Sequence, residues 1–176
     1  ARNHITYVTL YRDSERIDLR NEITENFGDV RHWAFSFNLA SPDVLTEELG
    51  AIIRLQKKSH RGHYAERNAR YDYATLNHFA DITDGLNTRG VTLSNWDCAF
   101  MRLGKSTPDF LDTSTAQLNV LAGGQVDGDQ LGIRNQNGAT YFLQRFALRP
   151  HGAYSSVAAM RFALEHRSNP LEQVSE

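Results

Sequence analysis

The sequence predicts an all-β fold, an antiparallel sandwich of two sheets with one short helix near the C-terminus. Three observations predict it. Apolar and polar residues alternate with period two in run after run, as half-buried antiparallel strands require. Most connections between the runs contain Gly, Asn, Asp or Pro, the residues of tight turns. Only one stretch, "YSSVAAMRFALEHR", carries a helical spacing.

Taken in order, "ITYVTLY" is the first expected strand. In "RIDLRNEIT", Ile17, Leu19 and Ile23 share one face, with Asp18, Arg20, Glu22 and Thr24 on the other. "HWAFSFNLA" repeats the pattern, setting Trp33, Phe35, Phe37 and Leu39 against His32, Ala34, Ser36 and Asn38. The intervening "TENFGD" offers Asn26 and Gly28 for a turn, which predicts that these two runs form a hairpin. Further strands are expected at "LGAIIRL", "ATLNHFADI", "GVTLSN", "CAFMRL", "AQLNVLAG", "QLGIRN" and "TYFLQRFALR". The segment from Gln56 to Tyr73 is densely charged and poor in aliphatics, so it reads as an exposed excursion between strands. In the helical run, Val157, Met160 and Leu164 form the expected apolar stripe, and Asn169-Pro170 ends it.

With 176 residues, 40% hydrophobic and 23% charged, the chain suits one buried core, a single domain spanning 1–176. It begins with Ala1 and runs straight into a strand, which leads us to expect a fragment of a larger multidomain protein. The 19 basic and 21 acidic residues are scattered and sum to a net charge of -2, so no global electrostatic case exists for nucleic acid or an anionic membrane as partner. No apolar run is long enough for a signal peptide or a membrane span. The single Cys98, in "CAFM", reads as a small buried apolar residue, and one free thiol points towards a reducing, cytoplasmic compartment.

Chemistry-bearing motifs are sparse. The chain has no G-x-S-x-G, no G-x-x-x-x-G-K-[ST] and no G-x-G-x-x-G. His60 and His63 form an H-x-x-H, a spacing that could set two imidazoles on one helical turn, but no third ligand follows at a recognisable distance, so no metal site is expected. Asp13, Asp18, Glu22 and Glu25 read as the solvent face of strands, and no carboxylate pair is singled out for glycoside hydrolysis. "AGGQVDGDQLG" places Gly123 and Gly124 before Asp127 and Asp129 without the ligand spacing or terminal Glu of a calcium loop; a flexible hairpin is expected there. No catalytic residue is therefore assigned. The last strand ends in "FALRPHGAY", where Pro150 is expected to stop sheet pairing and fix the exit direction, and His151 to hydrogen-bond a neighbouring loop.

Six segments in order, "RIDLRNEIT", "FSFNLASPD", "ELGAIIR", "NHFADITDGLNTRGVTLSN", "MRLGKSTPD" and "QRFALRPHG…NPL", carry a resemblance to the C-terminal β-domain of the family 38 glycoside hydrolases, the α-mannosidases. "HFADITDG", His78 to Gly85, and "GVTLSN", Gly90 to Asn95, resemble the two halves of that family's "RWADLSDGGYGVALLND" signature. Arg149-Pro150-His151 is similar to its strand-end Pro-His. The resemblance spans roughly Ile5 to Leu171. One departure is clear: Trp96 stands before Asp97 where the family continues Asn-Asp, and no Tyr-Gly follows.

The resemblance implies a galactose-mutarotase-like supersandwich that packs against a separate catalytic domain of the same polypeptide and walls one side of its cleft. It implies that this domain holds the aspartate nucleophile, the acid/base and a zinc site. The parent reaction would then be retaining hydrolysis of an α-mannoside, and this chain alone would be inactive, with no cofactor of its own. Within it, Asn95, Asp97, Arg149 and His151 are the candidates for contact with carbohydrate, and unpaired strand edges would allow a homo-oligomer.

Two other function classes fit the same fold. A non-catalytic carbohydrate-binding module would stack sugars on Tyr64, Tyr71, Tyr73 or Trp96. A mutarotase-like epimerase would need a His and a Glu; only His78 and His151 lie at strand ends, and the sequence shows no evident Glu partner for either.

Overall fold

The computed structural model describes residues 3–127 and 131–168. Seven strands form a large sheet in the order β1 (His4–Leu10), β2 (Ile17–Ile23), β13 (Phe142–His151), β8 (Gly90–Asn95), β7 (Phe79–Thr83), β4 (Asp43–Glu48) and β5 (Ala51–Arg54). Against it lies a sheet of β3 (Arg31–Ser36), β10 (Gln117–Gly123), β9 (Phe100–Leu103) and β6 (Ala74–Thr75). β11 (Gln125–Asp127) and β12 (Leu131–Gly132) make a small separate ribbon. Every pairing between these strands is antiparallel. The helix α1 (Ser156–Ser168) lies on the outer face of β7 and β8. The all-β sandwich with one helix is the architecture that the alternation predicts.

The core fills the space between the sheets. Val44, Ile82, Leu93 and Phe146 of the large sheet meet Met101, Leu103, Leu118 and Val120 of the small one, all buried. Trp33, Phe35, Phe37 and Leu39 pack against this cluster while Ala34 and Ser36 stay exposed, so the period-two reading of that run holds. A polar thread crosses the core beside β2. Thr6 Oγ1 donates to Asn21 Oδ1 at 2.7 Å, the Gln144 amide donates to Ala122 O at 2.7 Å, and the Trp33 indole N–H donates to Gln144 Oε1. Buried Asn21 and Gln144 are thereby satisfied rather than stranded.

Several expectations are corrected. The runs around Ile17 and Trp33 are not a hairpin: β2 pairs with β1 and β13, and β3 pairs with β10 in the opposite sheet. The turn at Asn26–Gly28 therefore carries the chain across the sandwich, since two apolar faces can meet as well across layers as along one sheet. Strand β4 was hidden by Pro42 and three acidic residues, and its hairpin to β5 turns on Leu49 and Gly50, which the sequence assigns to a strand. Both have positive φ, 48° and 88°, and Leu49 is 88% exposed. "ATLNHFADI" is two strands, β6 and β7, broken at Leu76–His78. "QLGIRN" yields only the two residues of β12 before an irregular turn over Arg134–Gly138; Gln130 lies outside the described residues.

Pro150 does not stop pairing. β13 continues beside β8 through Pro150↔Val91 and His151↔Gly90, while pairing with β2 ends earlier, at Leu148↔Ile17. The ring nitrogen thus falls where one neighbour has already ended, and no ladder bond is lost. The helix face also differs. Ala159, Phe162, Ala163 and His166 are buried; of the expected stripe only Met160 packs against them, whereas Val157 and Leu164 are 69% and 49% exposed. Two stripes of helical period exist, and the one with two alanines lets α1 sit close over Phe79. Its proposed stop at Asn169-Pro170 lies outside the described residues. Among those described, no helix is long and apolar enough to cross a membrane.

Candidate functional site

Alternation along β13 decides what its side chains can do. Phe142, Gln144, Phe146 and Leu148 face the core, so Arg145, Arg149 and His151 emerge on the outer face of the large sheet. Register then separates the four carbohydrate-contact candidates. Asn95 is opposite Phe146, and His151 opposite Gly90, so Asn95 and Asp97 lie at one end of β8 while Arg149 and His151 lie at the other.

At the first end, Asn95 is fully buried. Its amide nitrogen donates to Asn77 O at 3.1 Å and Cys98 O at 2.6 Å, and its Oδ1 accepts the Cys98 N–H at 3.1 Å, so it staples the 95–98 turn. That turn presents Trp96 and Asp97. Asp97 accepts three bonds from Arg145, from the backbone N at 2.8 Å, Nε at 3.0 Å and Nη2 at 2.7 Å. The guanidinium so held lies 3.8 Å from the centre of the Trp96 ring. His166 of α1 meets Trp96 edge-on at 5.7 Å and bonds Ser94 Oγ at 2.8 Å; burial, reinforced by Arg16, lowers its pKa to about 4 and keeps it neutral.

Trp96, Arg145 and His166 line a groove of about 330 Å³ together with Tyr7 and Tyr11 near the edge of the sheet and Asp18 and Arg20 from β2. Asp18 is not a free solvent-face carboxylate: Arg16 Nη2 reaches its Oδ2 at 2.7 Å, and the Tyr11 hydroxyl donates to it at 2.8 Å.

At the second end, His151 Nε2 donates to Asp81 Oδ2 at 2.9 Å and Nδ1 to Gly152 O at 2.9 Å. Two acceptors favour the imidazolium, and the Asp81 bond raises its pKa. His151 thus binds a carboxylate two strands away, not the loop expected. Thr92 Oγ1 also donates to Asp81 Oδ2, at 2.6 Å. Arg149 lies beneath α1 with its guanidinium 4.9 Å from the Phe162 ring. Asp81 Oδ1, Arg149 Nε and the Tyr154 hydroxyl are buried without hydrogen-bond partners.

The remaining candidates separate as well. His78 has the Glu partner the sequence did not reveal: its Nδ1 lies 2.8 Å from Oε2 of Glu47, which is 1% exposed. Register puts His78 beside Asn95 and His151 beside Gly90, at opposite ends of the sheet's centre, so the two histidines share no site. His60 and His63 do not share a helical turn; His60 Nδ1 pairs with Ser59 Oγ at 3.0 Å, and His63 Nδ1 accepts the Arg54 N–H at 2.8 Å. Among the described residues, no three His, Cys, Asp or Glu are grouped to hold a metal ion. Asp129 of the glycine-rich segment lies outside the described residues. Tyr71 is buried in the core with Tyr64 edge-on to it at 5.6 Å, and Tyr73 bonds His32 at 2.7 Å. Trp96 alone of the four aromatics borders the groove, and Tyr7 and Tyr11, its partners there, were missed because their run reads simply as a strand.

No family model matches the chain, and no curated relative does. Among solved structures, an alpha-mannosidase from Enterococcus faecalis matches with a TM-score of 0.66 and 15% sequence identity, over 93% of this chain and 18% of that one. Likeness at that identity establishes the fold, and this chain spans under a fifth of the length of the protein it matches.

Proposed function

We propose that this chain is an accessory β-domain of an α-mannosidase-like glycoside hydrolase, the counterpart of the C-terminal β-domain of family 38. The observation that carries the reading is the fold shared with part of an alpha-mannosidase over 93% of the chain. The ordered segments from "RIDLRNEIT" to "QRFALRPHG" support it. On this reading the nucleophile and a zinc site belong to a separate catalytic domain of the same polypeptide, which this domain packs against. Exposed Val157 and Leu164 on α1, and Val8 and Leu10 on β1, supply apolar surface suited to that contact.

The test is turnover of an aryl α-mannoside, with zinc content, for the 176-residue chain and for a longer polypeptide that includes it. An inactive, zinc-free chain beside an active, zinc-containing polypeptide is the expected result. Turnover by the chain itself would sink the reading and direct attention to His78 with Glu47 and His151 with Asp81.

A further inference from the structure

The charges of this chain are segregated. Residues 57–72 hold five Lys and Arg against two Asp and Glu, while the whole chain sums to -2, so the remainder is net acidic. Lys58, Arg61, Arg67 and Arg70 are exposed. The two carboxylates of the segment are already engaged, Asp72 by the Arg70 guanidinium at 2.8 Å and Glu66 by the Ser59 N–H at 2.7 Å. Lys58, Arg61 and Arg67 meet no carboxylate among the described residues.

The segment is held in a defined shape. The Lys58 N–H donates to Tyr64 O at 2.9 Å, the Tyr64 N–H to Gln56 O at 3.0 Å, and the Tyr71 hydroxyl to Ala65 O at 2.8 Å. Lys58 opens a single 3-10 turn, Lys58–His60, and Arg61 closes it; the bond from Ser59 to Glu66 draws Arg67 up beside that turn. Covering the β5 edge accounts for the backbone here, since His63 takes both main-chain groups of Arg54, at 2.8 and 3.2 Å. It does not account for three cations without partners.

Charge and shape narrow the class of partner. An extended polyanion, such as nucleic acid or an anionic bilayer, would run past the segment onto the acidic remainder of the chain and be repelled there. The tyrosines of the segment offer no free face to a base either. Tyr71 is buried with Lys57 Nζ 5.0 Å from its ring centre, and Tyr64 packs edge-on against it. A short acidic stretch of protein meets neither obstacle, and its carboxylates match guanidinia in planar, bidentate pairs.

We propose that residues 57–72 form a docking surface for a short acidic segment of a partner protein, whose Asp or Glu side chains pair with Lys58, Arg61 and Arg67. The surface lies wholly on this chain, so it stands or falls separately from the mannosidase reading.

Heteronuclear NMR titration of the 176-residue chain with a blocked hexaglutamate peptide tests this. The expected result is saturable shifts confined to residues 57–72, with an affinity that falls as salt rises from about 20 mM to about 300 mM and screens exposed ion pairs. Arg61 has left-handed backbone, φ 62° and ψ 25°, which glycine adopts without strain. Arg61→Gly should therefore leave the thermal midpoint no lower while weakening the peptide about threefold. Arg67→Ala should weaken it to a similar degree, and the two together by about tenfold. Arg161→Ala, which removes an exposed cation of α1, should change nothing. Four outcomes overturn the proposal: no saturable shift, shifts spread equally over cations outside the segment such as Arg161, an affinity unmoved by Arg61→Gly and Arg67→Ala, or tighter binding of a single-stranded oligonucleotide or of phosphatidylserine vesicles. Failure of the aryl-mannoside test would leave the titration result standing, and the reverse holds too.

Discussion

His151, at the end of β13, reaches across the neighbouring strand β8 to place its Nε2 2.9 Å from Oδ2 of Asp81 on β7. The reach is possible because Gly90 lies between them. A Cβ there would stand 2.7 Å from His151 Cε1 and 2.7 Å from Ile82 O. Asp81 is 1% exposed, so the pair is a buried ion pair whose loss strands a carboxylate.

Removal of either part of this arrangement should be costly. His151→Ala leaves Asp81 with Thr92 alone and is expected to destabilise by about 3–5 kcal/mol, the usual range for a buried charge losing its partner. Gly90→Ala should cost about 1–3 kcal/mol by displacing the imidazole. The folded pKa of His151 is raised above 6.5 by Asp81. Its contribution is therefore complete below pH 6.5 and is lost as pH rises through the raised value. Thermal midpoints scanned upward from pH 6.5 should fall for the wild-type chain, and this part of the slope should vanish in His151→Ala. An unchanged slope would dismiss the pair as the source.

The helix offers a test of its buried face. Phe162→Ala, against Arg149 and beneath the helix, should cost about 3–5 kcal/mol in a denaturant titration. Val157→Lys and Leu164→Lys, on the exposed side, should stay within about 0.5 kcal/mol. Reversed magnitudes would restore the stripe expected from sequence.

Acid should unfold the chain partly through Glu47. Burial pushes its carboxyl up, but bonds from the Gly50 N–H, the His78 ring and the His78 N–H outweigh this and hold the pKa below its ordinary 4.5. A depressed folded value means the contribution is present above pH 4.5 and lost as pH falls through the lower value. The stability of Glu47→Gln, followed by circular dichroism, should be lower than wild type at neutral pH and should fall less steeply in acid. Parallel acid curves would refute this.

Cys98 should be inert. Burial, with Asp97 beside it, pushes its thiol up to about 12, and the nucleophile in disulfide exchange is the thiolate. An aromatic disulfide reagent should label it only as fast as the chain opens, with rapid labelling once denaturant is added. Fast labelling of the folded chain would show that the 95–98 turn opens readily.

Local pattern determined much of this protein. Alternation set which side of β2 and β3 meets the core, and the turn residues marked most strand ends, because the strand period is set by a single residue's geometry. It also identified Cys98 as a buried small residue. The stretch Phe146–Tyr154 pointed to Arg149 and His151 as unusual, without revealing their partners.

What the sequence could not decide is which face meets which. A period-two run pairs equally well with several others, so the β2–β3 hairpin was a plausible arrangement that the crossing between sheets displaced. The two stripes of α1 differ by about two-fifths of a helical turn, and only packing against Phe79 selects the one carrying Ala159 and Ala163. Likewise, Asp81 and His151 are 70 residues apart, Glu47 and His78 are 31 apart, and Tyr7 lies on β1 while Trp96 lies on the turn after β8. Tertiary structure alone brings such pairs together, because side-chain contact depends on long-range strand order while alternation depends only on the residue next along the chain.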